Sequence, residues 1–169
     1  MTITFEESGL VFGPFEINSL LRIEKTNSYL NIQEHTKIAE FLWMSPTSKL
    51  WIIEAKSSIP RPNTSDYDKY FDEIKSKLAN ALALTISGVL KRVHFDQSEL
   101  PSRFLDADWA GVDFKLILII PSVPNDKLAL MTDKFRKVMR NMRKPWNIDE
   151  ISIIVLNKDQ AVKQGLATE

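Results

Sequence analysis

The sequence predicts an α/β fold in which helices sandwich a mixed central sheet as a three-layer structure. Three observations carry that expectation. Two runs rich in β-branched and aromatic residues, Lys37–Met44 and Leu50–Lys56, flank the turn Ser45-Pro46-Thr47-Ser48-Lys49 and read as an antiparallel hairpin. A long helical pattern follows it directly. Two further apolar runs, Phe114–Ile120 and Ile151–Leu156, are separated by a second helical pattern, and strand–helix–strand is a parallel crossover.

In chain order, residues 16–30 carry Ile17, Leu20, Leu21, Ile23 and Leu30, a spacing that fits one face of a first helix. The hairpin comes next. Ser65 then has the character of an N-cap, with Asp66 and Asp68 in the first turn. Behind it Tyr67, Tyr70, Phe71, Ile74, Leu78, Leu82, Ile86 and Val89 recur at spacings of three and four, which predicts a helix over 66–92 with Gly88 allowing close packing. From Asn125 to Arg143 the apolar side holds Leu128, Met131, Phe135, Val138, Met139 and Met142, and Pro145 ends that helix. The prolines at 60, 62, 101, 121 and 124 mark loops, none long enough for a domain linker, so the 169 residues read as one domain.

Composition narrows the function classes. Apolar residues make up 44% of the chain, enough for a core, so disorder is not expected. There is no cysteine, which excludes disulfides, thiol catalysis and a cysteine zinc site. The start, Met1 to Gly9, is polar and lacks the form of a signal peptide, and no apolar run is of membrane-spanning length. A cytoplasmic protein is the expectation. Lys plus Arg and Asp plus Glu number 22 each, so any polyanion partner must be met by a local patch. One candidate is the cluster Lys134, Arg136, Lys137, Arg140, Arg143 and Lys144, which would equally serve to offset a helix C-terminus. His35 and His94 are too far apart for a metal spacing and are expected on the surface. Trp43 and Trp51 are expected to pair across the hairpin beneath a helix.

Register arithmetic locates a constellation. A loop over 45–49 pairs Met44 with Leu50, Trp43 with Trp51 and Phe41 with Ile53, and so sets Glu40 opposite Glu54. Side chains alternate along a strand, so Glu54 and Lys56 share a face with Glu40 beside them. Adjacent carboxylates repel unless a proton or cation lies between them. A hard divalent ion such as Mg²⁺ or Mn²⁺ suits such oxygen ligands, and a nearby lysine can stabilise charge on a phosphate. The blander reading is a polar strand end whose ion pair contributes under about 1 kcal/mol. The acid-x-lysine pattern also occurs at Glu73-Lys75, within a helix, and at Asp113-Lys115, opening a strand. Only Glu54 follows a second acid across a hairpin.

Glu40, the turn, and Trp51-Ile52-Ile53-Glu54-Ala55-Lys56-Ser57-Ser58 resemble the PD-(D/E)XK, or restriction-endonuclease-like, nuclease superfamily. The likeness extends to the order of elements from about residue 16 to 156. It implies Glu40, Glu54 and Lys56 as catalytic residues. It implies Glu24, from the first helix, Glu40, Glu54 and the Ala55 carbonyl as metal ligands. Here Glu40 replaces the usual aspartate, and Ala39 the proline before it. The resemblance further implies a Mg²⁺-dependent endonuclease acting on DNA, in bacterial defence or repair, as a homodimer or within a larger defence-type complex. The alternative is an inactive nuclease-like fold that binds nucleic acid or serves assembly. A hydrolase of small phosphate esters is a third reading, and it requires a closed pocket.

Overall fold

The computed structural model describes residues 1–92 and 95–168. Strands β1 (Thr2–Glu7) and β2 (Leu10–Glu16) form a two-stranded antiparallel sheet. A short edge strand β3 (Leu20–Leu21) follows, then the single-turn helix α1 (Asn27–Leu30). β4 (Phe41–Met44) and β5 (Lys49–Ala55) make the predicted hairpin. Helix α2 (Ser65–Val89) and the one-turn α3 (Ser102–Leu105) lead to β6 (Asp113–Ile119). Helix α4 (Asn125–Arg143), β7 (Ile153–Leu156) and α5 (Lys158–Lys163) complete the chain.

The main sheet has the order β3-β4-β5-β6-β7. β3, β4 and β5 are antiparallel neighbours, and β5, β6 and β7 are parallel. A mixed α/β architecture is therefore present. The hairpin register pairs Met44 with Leu50, Trp43 with Trp51 and Phe41 with Ile53, as the loop arithmetic gives.

Alternation along the strands makes two apolar layers. Leu42, Leu50, Ile52, Leu116, Leu118 and Val155 pack with Phe71, Ile74 and Leu78 of α2 and Met131, Phe135 and Met139 of α4. The opposite face, with Phe41, Trp51, Ile53, Ile117 and Ile119, is covered by Leu10, Phe12 and Phe15 of β2 and by Ala161 of α5. That second layer is a β-ribbon plus a short helix. Trp43 and Trp51 do pair, with centroids 5.7 Å apart, but Trp43 packs on Phe15 at 5.2 Å, so the pair lies under the ribbon and not under a helix.

The first helix expected over 16–30 does not form. Ile17–Ser19 and Ile23–Lys25 are 3₁₀ turns on either side of β3. Leu20 and Leu21 are consecutive yet both buried, one in each apolar layer, which is the two-residue period of a strand. α2 begins one residue earlier than predicted, because Thr64 and not Ser65 is the cap: its hydroxyl accepts the Tyr67 N–H at 3.2 Å. At Gly88 an added Cβ would lie 2.8 Å from the Phe95 ring, so this glycine lets the loop after α2 pack against it. His35 is exposed, and His94 lies outside the described residues.

Candidate active site

Glu54 is the penultimate residue of β5, at the carboxyl end shared by the parallel strands. In open α/β sheets that end is where ligands bind. The even-numbered residues of β5 face the helical layer, so the Glu54 carboxylate enters beneath α2 and is fully buried. A buried carboxylate requires counter-charge. Lys77 of α2 donates to Glu54 Oε1 at 2.7 Å, and the Lys56 ammonium is 3.1 Å from the same oxygen. Glu54 Oε2 is buried with no hydrogen-bond partner among the described residues. Burial pushes the Glu54 carboxyl above its ordinary range, against the pull of Lys77 and Lys56. Burial disfavours the Lys77 ammonium, but the Glu54 charge outweighs it and raises Lys77.

Glu40 sits one residue before β4, at the position that continues the register toward Glu54. Its carboxyl lies with those of Glu24 and Glu7 in a group whose oxygens are all within 4.8 Å of one another. Glu54 is outside that group. Glu24 comes from the 3₁₀ turn Ile23–Lys25, not from a helix, and pairs with Lys25 at 3.0 Å and Arg22 at 3.6 Å. Three clustered carboxylates cannot all ionise cheaply. Burial, hydrogen bonding with Glu24, and the charges of Glu54, Glu24 and Glu7 push Glu40 up to about 8. Burial opposes the ionisation of Glu24, yet its hydrogen bond with Glu40 and the nearby Lys25 and Arg22 hold it low. At neutral pH the proton resides on Glu40 and the charge on Glu24.

Of the residues singled out in the sequence, Glu24 and Glu40 meet, Glu54 and Lys56 meet, and Glu40 and Glu54 interact through their charges. Ala55 ends β5 opposite Ile119, its side chain in the layer away from Glu54. Asp113 and Lys115 lie at the amino end of β6, away from this site. Glu73 pairs with Lys37 at 3.1 Å and Lys75 with Asp72 at 3.3 Å. In the α4 cluster, Lys134 pairs with Asp68, and Arg136 and Arg143 donate to the Ile153 and Ile148 carbonyls. Lys137, Arg140 and Lys144 are left exposed.

Glu7 is the member of the carboxylate group that the sequence reading missed. It ends β1 and is joined to Leu10 by the two-residue turn Ser8-Gly9. Both turn residues have positive φ, 50° and 82°. Such a turn favours hairpins, and a Ser-Gly pair between alternating apolar residues signals it.

Two hollows open beside the lysines. One of about 520 Å³ is lined by Glu24, Lys37 and Lys77, and one of about 380 Å³ by Lys56, Ser57, Ser58 and Tyr70, with Glu73 on the rim of both. They are open to solvent, unlike the closed pocket a small-ester hydrolase requires. Tyr70 is raised by burial and by the Glu54 charge, so its hydroxyl is a donor at any working pH. All the acidic donors are hard oxygens, and the clustered Glu7, Glu24 and Glu40 fit a divalent ion such as Mg²⁺ or Mn²⁺, with Glu54 standing outside that cluster. Comparison with family models, with curated proteins and with solved structures finds no match to this chain.

Proposed function

We propose that this protein is a Mg²⁺-dependent nuclease of the restriction-endonuclease-like kind, cutting phosphodiester bonds in DNA. One observation carries the reading: Glu54 and Lys56 lie side by side at the carboxyl end of β5, with Glu40 across the hairpin. Glu24, Glu40, Glu54 and the Ala55 carbonyl would hold the ion, and Glu7 stands close enough to Glu24 and Glu40 to join those two. When bound, such an ion supplies Lewis-acid charge to the phosphoryl oxygens and lowers the pKa of water.

The remaining roles belong to the chain. Lys56 is partly exposed toward the hollow with Ser57, Ser58 and Tyr70, so its ammonium can meet a phosphate oxygen without leaving Glu54. Lys77 is more enclosed and holds Glu54 in place as a positioning residue. Glu40 would give up its proton if a cation were held there, since either relieves the same crowding. A role in bacterial defence or repair, as a homodimer or in a larger complex, and a cytoplasmic location belong to the same proposal.

A second reading is favoured by one contact set. Both lysines converge on Glu54 Oε1, a charge-compensated cluster that a chain using its fold only for binding or assembly would also keep. Plasmid and oligonucleotide cleavage separates the two. The nuclease reading expects cutting with Mg²⁺ or Mn²⁺, none with chelator, and a loss of at least about 100-fold in Lys56→Ala. No cleavage by wild type on double- or single-stranded DNA would turn the account to the second reading.

A further inference from the structure

A second surface lies at the opposite end of the sheet. The amino ends of β5 and β6, the loop before β6 and the segment after α4 enclose an open hollow of about 680 Å³. Trp109, Phe114 and Trp146 line it in sequence: Phe114 is 6.4 Å from Trp109 and meets Trp146 edge-on at 5.8 Å. Trp109 is fixed by its indole N–H, which donates to the Phe104 carbonyl at 2.8 Å. Trp146 keeps 38% of its surface exposed, so one large aromatic ring is left open at the mouth.

Lys49 and Lys115 line this hollow, and among the described residues neither is in an ion pair, but both stand on the sheet face opposite Phe114 and the Lys115 ammonium lies over the Trp51 ring, 4.3 Å from its centroid. Lys115 is held down by burial and by the charge of Lys49, so the two cations crowd each other. The outer face of α4 arrives at the same place, because Lys144 directly precedes Pro145 and Trp146. Lys137, Arg140 and Lys144 fall on one exposed stripe of that helix, and among the described residues they too are unpaired. Asp113 and Asp149 at the rim, Asp108 and Glu150 next to lining residues, and Asp133 farther back along α4 are the opposing acids.

An exposed aromatic ring beside unpaired cations suits a base with its flanking phosphates, since every base has a face to stack and the backbone supplies the negative charge. We propose that this hollow and the stripe on α4 bind single-stranded nucleic acid, with a base stacked on Trp146 and phosphates against Arg140 and Lys144. This surface is independent of cleavage. Lys49 is five residues from Glu54 along β5, roughly 17 Å away, so a bound strand would extend toward the carboxylates without occupying them.

The test is binding of a fluorescently labelled oligodeoxynucleotide of about 15 residues, in chelator and about 50 mM salt, followed by anisotropy and tryptophan fluorescence. Wild type is expected to bind with quenching. Trp146→Ala should bind roughly 10-fold more weakly, and Trp146→Phe should recover most of that loss, because a ring still stacks. Arg140→Glu/Lys144→Glu, both exposed, should weaken binding and flatten its salt dependence by about one to two charges. Lys163→Glu, an exposed residue of α5 on the other face of the sheet, should bind as wild type does. The proposal is overturned if wild type does not bind, if Trp146→Ala and the double charge reversal bind as wild type does, or if Lys163→Glu weakens binding as much as the double reversal does. A duplex or a single nucleotide bound as tightly as the oligomer also overturns it.

Discussion

Lys77→Met isolates the counter-charge on the most deeply buried acid. Glu54 has no exposed side-chain surface, and Lys77, 15% exposed, is its nearer cationic partner at 2.7 Å. Removing one member of a buried pair leaves the other uncompensated, typically a loss of about 3–5 kcal/mol. Lys56 remains at 3.1 Å, so the loss should fall near the lower end, about 3 kcal/mol. For a chain of this length that is roughly 6–12 °C in Tm.

The pH dependence has a definite sign. Burial already holds Glu54 above the ordinary 4.5, and deleting Lys77 raises it further. A carboxyl raised in the folded state does not penalise folding below its unfolded pKa, and destabilises increasingly as pH rises through the folded value. The deficit of Lys77→Met relative to wild type should therefore be smaller near pH 5 than near pH 8. Adding Glu54→Gln should recover part of the loss, because the stranded charge is then gone. Thermal melts followed by circular dichroism at the two pH values measure this. A Lys77→Met protein within about 1 kcal/mol of wild type at both pH values contradicts the reasoning.

Three further outcomes are expected. Because Glu40 is raised to about 8, wild type should lose stability as pH climbs from about 5 to 9, and Glu40→Gln should flatten that slope in the same melts. Gly88→Ala should destabilise by about 1–2 kcal/mol in urea unfolding despite better helix propensity, since its Cβ would lie 2.8 Å from Phe95 and 3.1 Å from Leu100. Phe135→Ala, which removes a fully buried ring between α4 and the sheet, should cost about 3–5 kcal/mol in the same assay.

The parts of the fold legible in the sequence are those where one physical rule acts alone. α2 and α4 show their apolar faces through a period of three and four, and neither is interrupted until Gly88 and Pro145. The hairpin declares its register because the loop length fixes it and a slip of one residue would turn every buried side chain outward. Residues 16–30 misled because Ile17, Leu20, Leu21, Ile23 and Leu30 fit a helical stripe as well as they fit a two-residue edge strand between 3₁₀ turns. Tertiary pairing of Leu20 with Trp43 decides between them, and no local pattern reports it.

The candidate site divides the same way. Glu54 and Lys56 follow from strand alternation, and Glu40 from the hairpin register. The helical stripe expected to carry Glu24 does not form, yet the 3₁₀ turn delivers its carboxyl to Glu40. Glu7 depends on the ribbon folding over the sheet, a contact between segments more than thirty residues apart, signalled only by the Ser8-Gly9 turn. Lys77 lies on α2 where its helical face meets the end of β5, and its pairing with Glu54 required the packing angle of the two.

The carboxylates around Glu40 are proposed to form a divalent-cation site, and the decisive experiment is calorimetric titration of Mn²⁺. Wild type is expected to bind with proton release that grows as pH falls below about 8, where Glu40 still holds its proton. Glu40→Ala and Glu54→Ala should each abolish or strongly weaken the binding. No heat of binding in folded wild type, or binding unchanged by both substitutions, contradicts the claim.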